Sequence, residues 1–337
     1  MITVAGTAQG EARQDAGGWL LSESADFWLA CAGGGVVLVA LALALHAWGD
    51  RQLTAADILL GELHLGATYD AVARGRLWRS MPVETLLVPL AILAATYALM
   101  LGGQTIIVTT IALYWAAWHR GRQNLGVARY YQLRAGGEAS LWHGRIFRAA
   151  IYLPMAAGVA YFTSTSPLNE GDEYIRLGLG PGVLWTLGAI ALASLAAYAW
   201  FSARRGAEVH PAERWLVAAN AIAFGSAYGL GAWSDSFILV LALHHEVQYL
   251  AFTYAVARRS GNAPVTDRRG EWRMLASFAV WPAIGLASWG VCKLVDSQWL
   301  TPFLVGGLLC HYWIDSRIWT GRARRLAASS GRTSASF

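Results

Sequence analysis

Apolar runs about as long as a bilayer core is thick recur along this chain, each bounded by polar turns or arginine clusters. In hydrocarbon a backbone must satisfy its N–H and C=O groups internally, so runs of that length dictate α-helices. Ten are predicted, over residues 27–48, 54–73, 83–101, 105–123, 147–163, 179–202, 214–233, 237–257, 274–294 and 299–319. Only 14% of residues are charged, against about 25% in a soluble domain, and the 17 tryptophans suit anchoring at two water–lipid interfaces. The expected fold class is therefore all-α: a polytopic integral membrane helical bundle of about ten transmembrane helices. The second run is the least apolar, being interrupted by Asp57, Glu62, His64 and Asp70. Nine spans with a re-entrant second segment is the alternative.

The loop charges test the count. Arginines cluster after runs two (Arg74, Arg76, Arg79), four (Arg120, Arg122, Arg129, Arg134), six (Arg204, Arg205), eight (Arg258, Arg259) and ten (Arg317, Arg322). The turns after odd runs are poor in them, which by the positive-inside rule places both termini in the cytoplasm. Residues 1–24 are expected to be a cytoplasmic N-terminal segment, 25–325 the transmembrane helical domain and 326–337 a disordered tail. No basic stretch precedes the first run, so that run is expected to act as its own insertion signal in a bacterial inner membrane. The net charge of +5 comes from these loop arginines, a pattern that suits anionic lipid and argues against nucleic acid as a partner. Cys31, Cys292 and Cys310 all fall in apolar runs and form no CxxC pair.

Ionisable groups inside such runs are costly and mark function. Four runs carry a histidine followed four residues later by a second polar group, on one helix face: His64/Thr68, His119/Gln123, His244/Gln248 and His311/Asp315, with His245 beside the third. All four runs point the same way through the bundle, so the pairs can meet in its cytoplasmic half. The expected metal ligands are His64, His119, His244, His245 and His311. Asp315 and Glu246 are the candidate catalytic carboxylates, as ligand or as orienting groups. Gln123 and Gln248 are the expected hydrogen-bonding supports of a bound cofactor. His46, His143 and His210 fall outside the pattern and read as interface or loop residues. For each pair the alternative is a buried or interfacial hydrogen bond with no ligand; it is weakest for His244-His245-Glu246, where three ionisable groups interrupt one apolar run.

Imidazole with carboxylate and no thiolate suits iron, copper or zinc. The segments His64-Leu65-Gly66-Ala67-Thr68-Tyr69-Asp70 and Trp118-His119 resemble motifs of the bacterial Brp/Blh membrane oxygenases. In that family they are a Pro-His-Gly-Ala-x-x-Asp-like and a Trp-His-x-x-x-x-His-like stretch, and the enzymes cleave β-carotene to retinal at histidine-bound iron. The match covers those stretches only: no proline precedes His64, Leu65 is inserted, and there is no second histidine near Gln123. The resemblance implies a membrane metalloenzyme. With the residue pattern it gives the leading expectation: an oxidase or oxygenase with mono- or dinuclear iron (zinc or copper as alternatives) acting on a lipid, isoprenoid or hydrocarbon-chain substrate. No flavin or dinucleotide motif is present, so the reductant is expected from an external electron-donor protein. A b-type haem electron carrier and a proton-coupled transporter are the competing expectations.

Overall fold

The computed structural model describes residues 18–31, 33–45, 60–61, 63–69, 72–73, 77–134, 141–165, 174–231, 236–259 and 300–329, with single residues at 272, 276, 280, 283 and 287. Among the described residues every regular element is helical. The chain enters through a short turn, Glu23–Ala25, and a π-helical turn, Asp26–Cys31, ahead of α1, Gly33–Leu45. Helix α2 covers residues 60–61 and 63–69. Then follow α3 (Val88–Leu101, entered through a second π-helical turn, Val83–Leu87), α4 (Thr105–Arg134), α5 (Leu141–Thr165), α6 (Pro181–Arg205), α7 (Pro211–Leu230), α8 (Ser236–Arg259) and α9 (Leu300–Ser329).

Local sequence explains where the helices begin and end. Pro181 and Pro211 open α6 and α7 at positions whose N–H would have no helical partner. His210 caps α7, its Nδ1 accepting from the Ala212 N–H at 3.1 Å. Between α3 and α4 the chain reverses within three residues, and Gly103 at φ 77° occupies the left-handed position that the reversal requires.

Helix α4 is the axis of the bundle. Its 30 residues make it about 45 Å long. On one side α7 and α5 pack against it, with α6 outermost on α5; on the other lie α9 and α3, while α8 packs chiefly on α7 and α1. Two apolar cores follow the α4–α5–α7 side. One joins Val127, Ala128, Phe147, Ile151, Leu216 and Phe252 to the entering segment at Leu20 and Ala30. The other joins Ala117, Met155, Phe162, Phe224 and Tyr228.

The ten-span expectation is corrected. Among the described residues three helices are long and apolar enough to cross a membrane, Val83–Leu101, Trp142–Thr165 and Pro181–Glu208. A fourth results if the segments Glu23–Cys31 and Gly33–Ala44, bent by 49° at their junction, form one broken span. Helices do occupy the other expected runs 105–123, 214–233, 237–257 and 299–319. Their polar residues disqualify them as simple spans: α4 passes through His119, Arg120, Arg122, Gln123 and Asn124, α8 through His244, His245, Glu246 and Gln248, and α9 through His311, Asp315 and Arg317. Residues 54–59, 62 and 70–71 of the second expected span and most of the ninth, with the termini 1–17 and 330–337, lie outside the described residues, as do His46, Asp70 and Cys292.

Candidate metal centre

His64 on α2, His119 on α4, His245 on α8 and His311 on α9 converge from four helices. Each offers a ring nitrogen or equivalent ligand atom, and these all lie within 4.8 Å of one another. All four side chains are buried, His311 completely. His64 meets His311 edge to face and His245 at a tilt, at centroid distances of 4.4 and 4.7 Å, and His119 meets His245 and His311 edge to face at 5.0 Å each. Tyr312 stacks on the His119 ring at 4.7 Å.

The nitrogens are arranged for a cation more than for one another. His64 Nε2 and His311 Nε2 are 2.7 Å apart. A neutral imidazole carries a single N–H, so if His64 donates in this contact, its Nδ1 becomes a bare acceptor and His311 Nδ1 must hold a proton. Neither Nδ1 meets a hydrogen-bonding partner, and His119 Nε2 meets none either. Each buried polar atom left in that state costs about 1–3 kcal/mol. A metal ion accepts several lone pairs at once. Nitrogens bound tetrahedrally to one ion at about 2.0–2.1 Å lie about 3.3–3.4 Å apart, so the quartet would close by up to about 1.5 Å around a single ion. The cluster is thus a buried four-histidine group able to coordinate a divalent metal ion.

A carboxylate stands at its edge. Asp315 is fully buried one turn after His311, and its Oδ2 is 3.8 Å from His119 Nε2. Tyr249 donates to its Oδ1 at 2.6 Å, and Thr68 Oγ1 is 2.7 Å from the Tyr249 hydroxyl. The other expected carboxylate, Glu246, lies against α2: a Cβ added at Gly61 would come within 3.1 Å of its Oε1.

The carboxamides support the histidine-bearing turn of α8. Gln123 donates to the His245 carbonyl at 3.0 Å and to Gln248 Oε1 at 2.9 Å, and Gln248 donates to the Ala30 carbonyl at 2.8 Å. His244, expected as a ligand, points the other way. Its Nε2 is 2.9 Å from the Cys31 carbonyl, and its ring packs so close to α1 that a Cβ at Gly35 would meet it at 3.0 Å. Adjacent helix residues point about 100° apart, so one of the two faces the quartet and the other the entering segment. Cys310 is no part of the centre, since its thiol bonds to the Pro89 carbonyl at 3.1 Å.

A second buried polar cluster involves residues that the sequence pattern set aside or passed over. Glu213, in the first turn of α7, is fully buried. Its Oε1 pairs with His143 Nε2 at 2.6 Å and accepts from the Tyr198 hydroxyl at 3.0 Å, and its Oε2 accepts from Gln132. His143 was read as an interface or loop residue; it belongs to the first turn of α5. His210, read the same way, is the helix cap described above. One signal for the cluster was available: Glu213 follows the Pro211 that opens a helix, where a carboxylate is favoured.

Comparison with known proteins places no relative beside this chain: no family model matches it, nor does any curated protein or any solved structure.

Proposed function

We propose that this chain is a membrane-embedded, metal-dependent oxidase or oxygenase, with iron at the four-histidine cluster and a hydrophobic lipid, isoprenoid or hydrocarbon-chain substrate. The observation that carries the proposal is the convergence of His64, His119, His245 and His311, three of which hold a buried ring nitrogen with no hydrogen-bonding partner. Imidazole and carboxylate donors suit iron, copper and zinc alike. Redox chemistry favours iron or copper, and the partial Brp/Blh resemblance, whose two segments supply His64 and His119, favours iron. When bound, the metal supplies activation of dioxygen. The chain's own residues hold the ligands, keep water out and place an apolar substrate beside them.

Membrane placement draws support from the outer surface. The helices Val83–Leu101 and Pro181–Glu208 are apolar, yet only 11% of each span is buried within the protein, and the exposed Leu90, Trp185 and Leu192 suit an apolar surrounding. Arginines stack on aromatic rings near helix ends, with Arg79 on Trp78, Arg145 on Trp142 and Arg204 on Trp200, as suits a headgroup boundary. The haem alternative fares worse, because one haem takes two axial histidines and four converge here.

The test is elemental analysis with absorption and EPR spectra of the detergent-purified protein. Near-stoichiometric iron that is lost in His245→Ala supports the reading. Trace metal that His245→Ala leaves unchanged overturns it.

A further inference from the structure

Four imidazoles are neutral donors. A divalent ion among them leaves two positive charges buried in apolar surroundings, and burying uncompensated charge is expensive. Among the described residues Asp315 is the carboxylate that reaches the quartet, through its Oδ2 at 3.8 Å from His119 Nε2. Its other oxygen is held by a directed chain of hydroxyls. The short contact is Tyr249 O–H to Asp315 Oδ1, 2.6 Å, so the single phenolic proton is spent there. Thr68 Oγ1 is 3.4 Å from that same carboxylate oxygen but 2.7 Å from the Tyr249 oxygen. The Thr68 proton therefore goes to Tyr249. The order is Thr68 to Tyr249 to Asp315, each bond polarising the next, across α2, α8 and α9. All three side chains are at most 1% exposed. The Tyr249 ring is also packed against His64, at 4.1 Å between centroids, so the phenol is fixed by the ligand it serves.

We propose that Tyr249 is a positioning residue of the metal centre: with Thr68 behind it, it locks the Asp315 carboxylate so that Oδ2 is presented to the ion beside His119. The 3.8 Å between Asp315 Oδ2 and His119 Nε2 is within the span of about 4.2 Å that one ion can bridge. The inference rests on the metal-centre reading and extends it from four ligands to a four-histidine, one-carboxylate set. Groups that orient metal-binding carboxylates typically change affinity about 10–100-fold when removed.

The test is a double-mutant cycle with cobalt(II) as probe, titrated into the metal-stripped full-length protein in detergent and followed by d–d absorption. Wild type is expected to bind one cobalt. Tyr249→Phe keeps that stoichiometry, weakens binding by about 10–100-fold and changes the d–d envelope. Asp315→Asn does at least as much, and the double variant is no worse than Asp315→Asn alone, because Tyr249 acts through Asp315. Thr68→Val moves the spectrum toward that of Tyr249→Phe, whereas Thr68→Ser keeps the wild-type spectrum. If Tyr249→Phe binds cobalt with wild-type affinity and spectrum, or if the losses in Tyr249→Phe and Asp315→Asn multiply, the positioning role is overturned and the metal centre stands. If wild type binds no cobalt, the metal-centre reading falls and this inference with it.

Discussion

Two buried polar clusters flank α4, and they differ in how completely their atoms are satisfied. Around Glu213 both carboxylate oxygens are occupied, by His143, Tyr198 and Gln132. In the histidine quartet ligand atoms from four rings converge, and His64 Nδ1, His119 Nε2 and His311 Nδ1 meet no hydrogen-bonding partner. A satisfied network fixes helices relative to one another; a convergent and unsatisfied one is arranged around something it binds. The two are also set apart. Along α4 they are separated by Val127 and Ala128, which pack against Leu216 and Val217 of α7. If that apolar layer insulates the clusters, one can be broken without touching the other.

The largest effect expected from breaking this comparison is on the histidine side. His311→Ala removes one of the four converging histidines, whose ring meets those of His64 and His119. Metal content measured on the purified variant is expected to fall from near-stoichiometric to background. Retention of metal by His311→Ala would show that the convergence is packing alone.

Glu213→Ala is expected to do the opposite. It strips the acceptor from His143, Tyr198 and Gln132 together, and breaking a buried network of that kind costs about 3–5 kcal/mol. An equilibrium denaturation titration reads that loss, while metal content per folded chain stays at the wild-type value. A variant that lost metal without losing stability would reverse the two assignments.

The contrast also shows what was legible before the structure. His64, His119, His245 and His311 were legible because a histidine inside an apolar run is costly, and because a four-residue spacing puts it on the same face as a polar neighbour. The choice between His244 and His245 was not, since the rotation of α8 is set by its packing on α1, where Gly35 admits the His244 ring. Tyr249 was invisible for a similar reason: an aromatic in an apolar helix reads as core until Asp315 and Thr68 arrive from other helices. Helicity was legible from the apolar runs, whereas the number of membrane spans was not. The polar residues that build the site lower the hydropathy of α4, α8 and α9, so the feature that flagged function also undid the count. His143 escaped because its helix begins within a stretch of arginines and glycines that reads as a loop.

His244 offers a sharper cut within the histidine cluster. His244→Ala removes the bond to the Cys31 carbonyl and leaves a buried acceptor, for an expected loss of about 2–3 kcal/mol. Metal content is expected to stay near wild type. His245→Ala, one residue away, is expected to abolish binding. Equal metal loss in the two variants would mean that the entering segment, and not the ring facing inward, controls the site.

The smallest effect is expected at the boundary between the clusters. Asn124 follows Gln123 on α4 and donates to Asn220 Oδ1 at 2.8 Å, and Asn220 in turn donates to the Ile151 carbonyl at 3.1 Å. Asn124→Ala keeps the second bond and orphans one carboxamide oxygen, so about 1–2 kcal/mol is expected. Because Asn124 sits one residue from the Gln123 that braces His245, its variant asks whether strain travels along α4. If the clusters are independent, denaturation reports that modest loss and the cobalt spectrum does not move. A shifted spectrum would mean that α4 couples them despite the apolar layer, and the Glu213 network would then have to be counted among the groups that tune the metal centre.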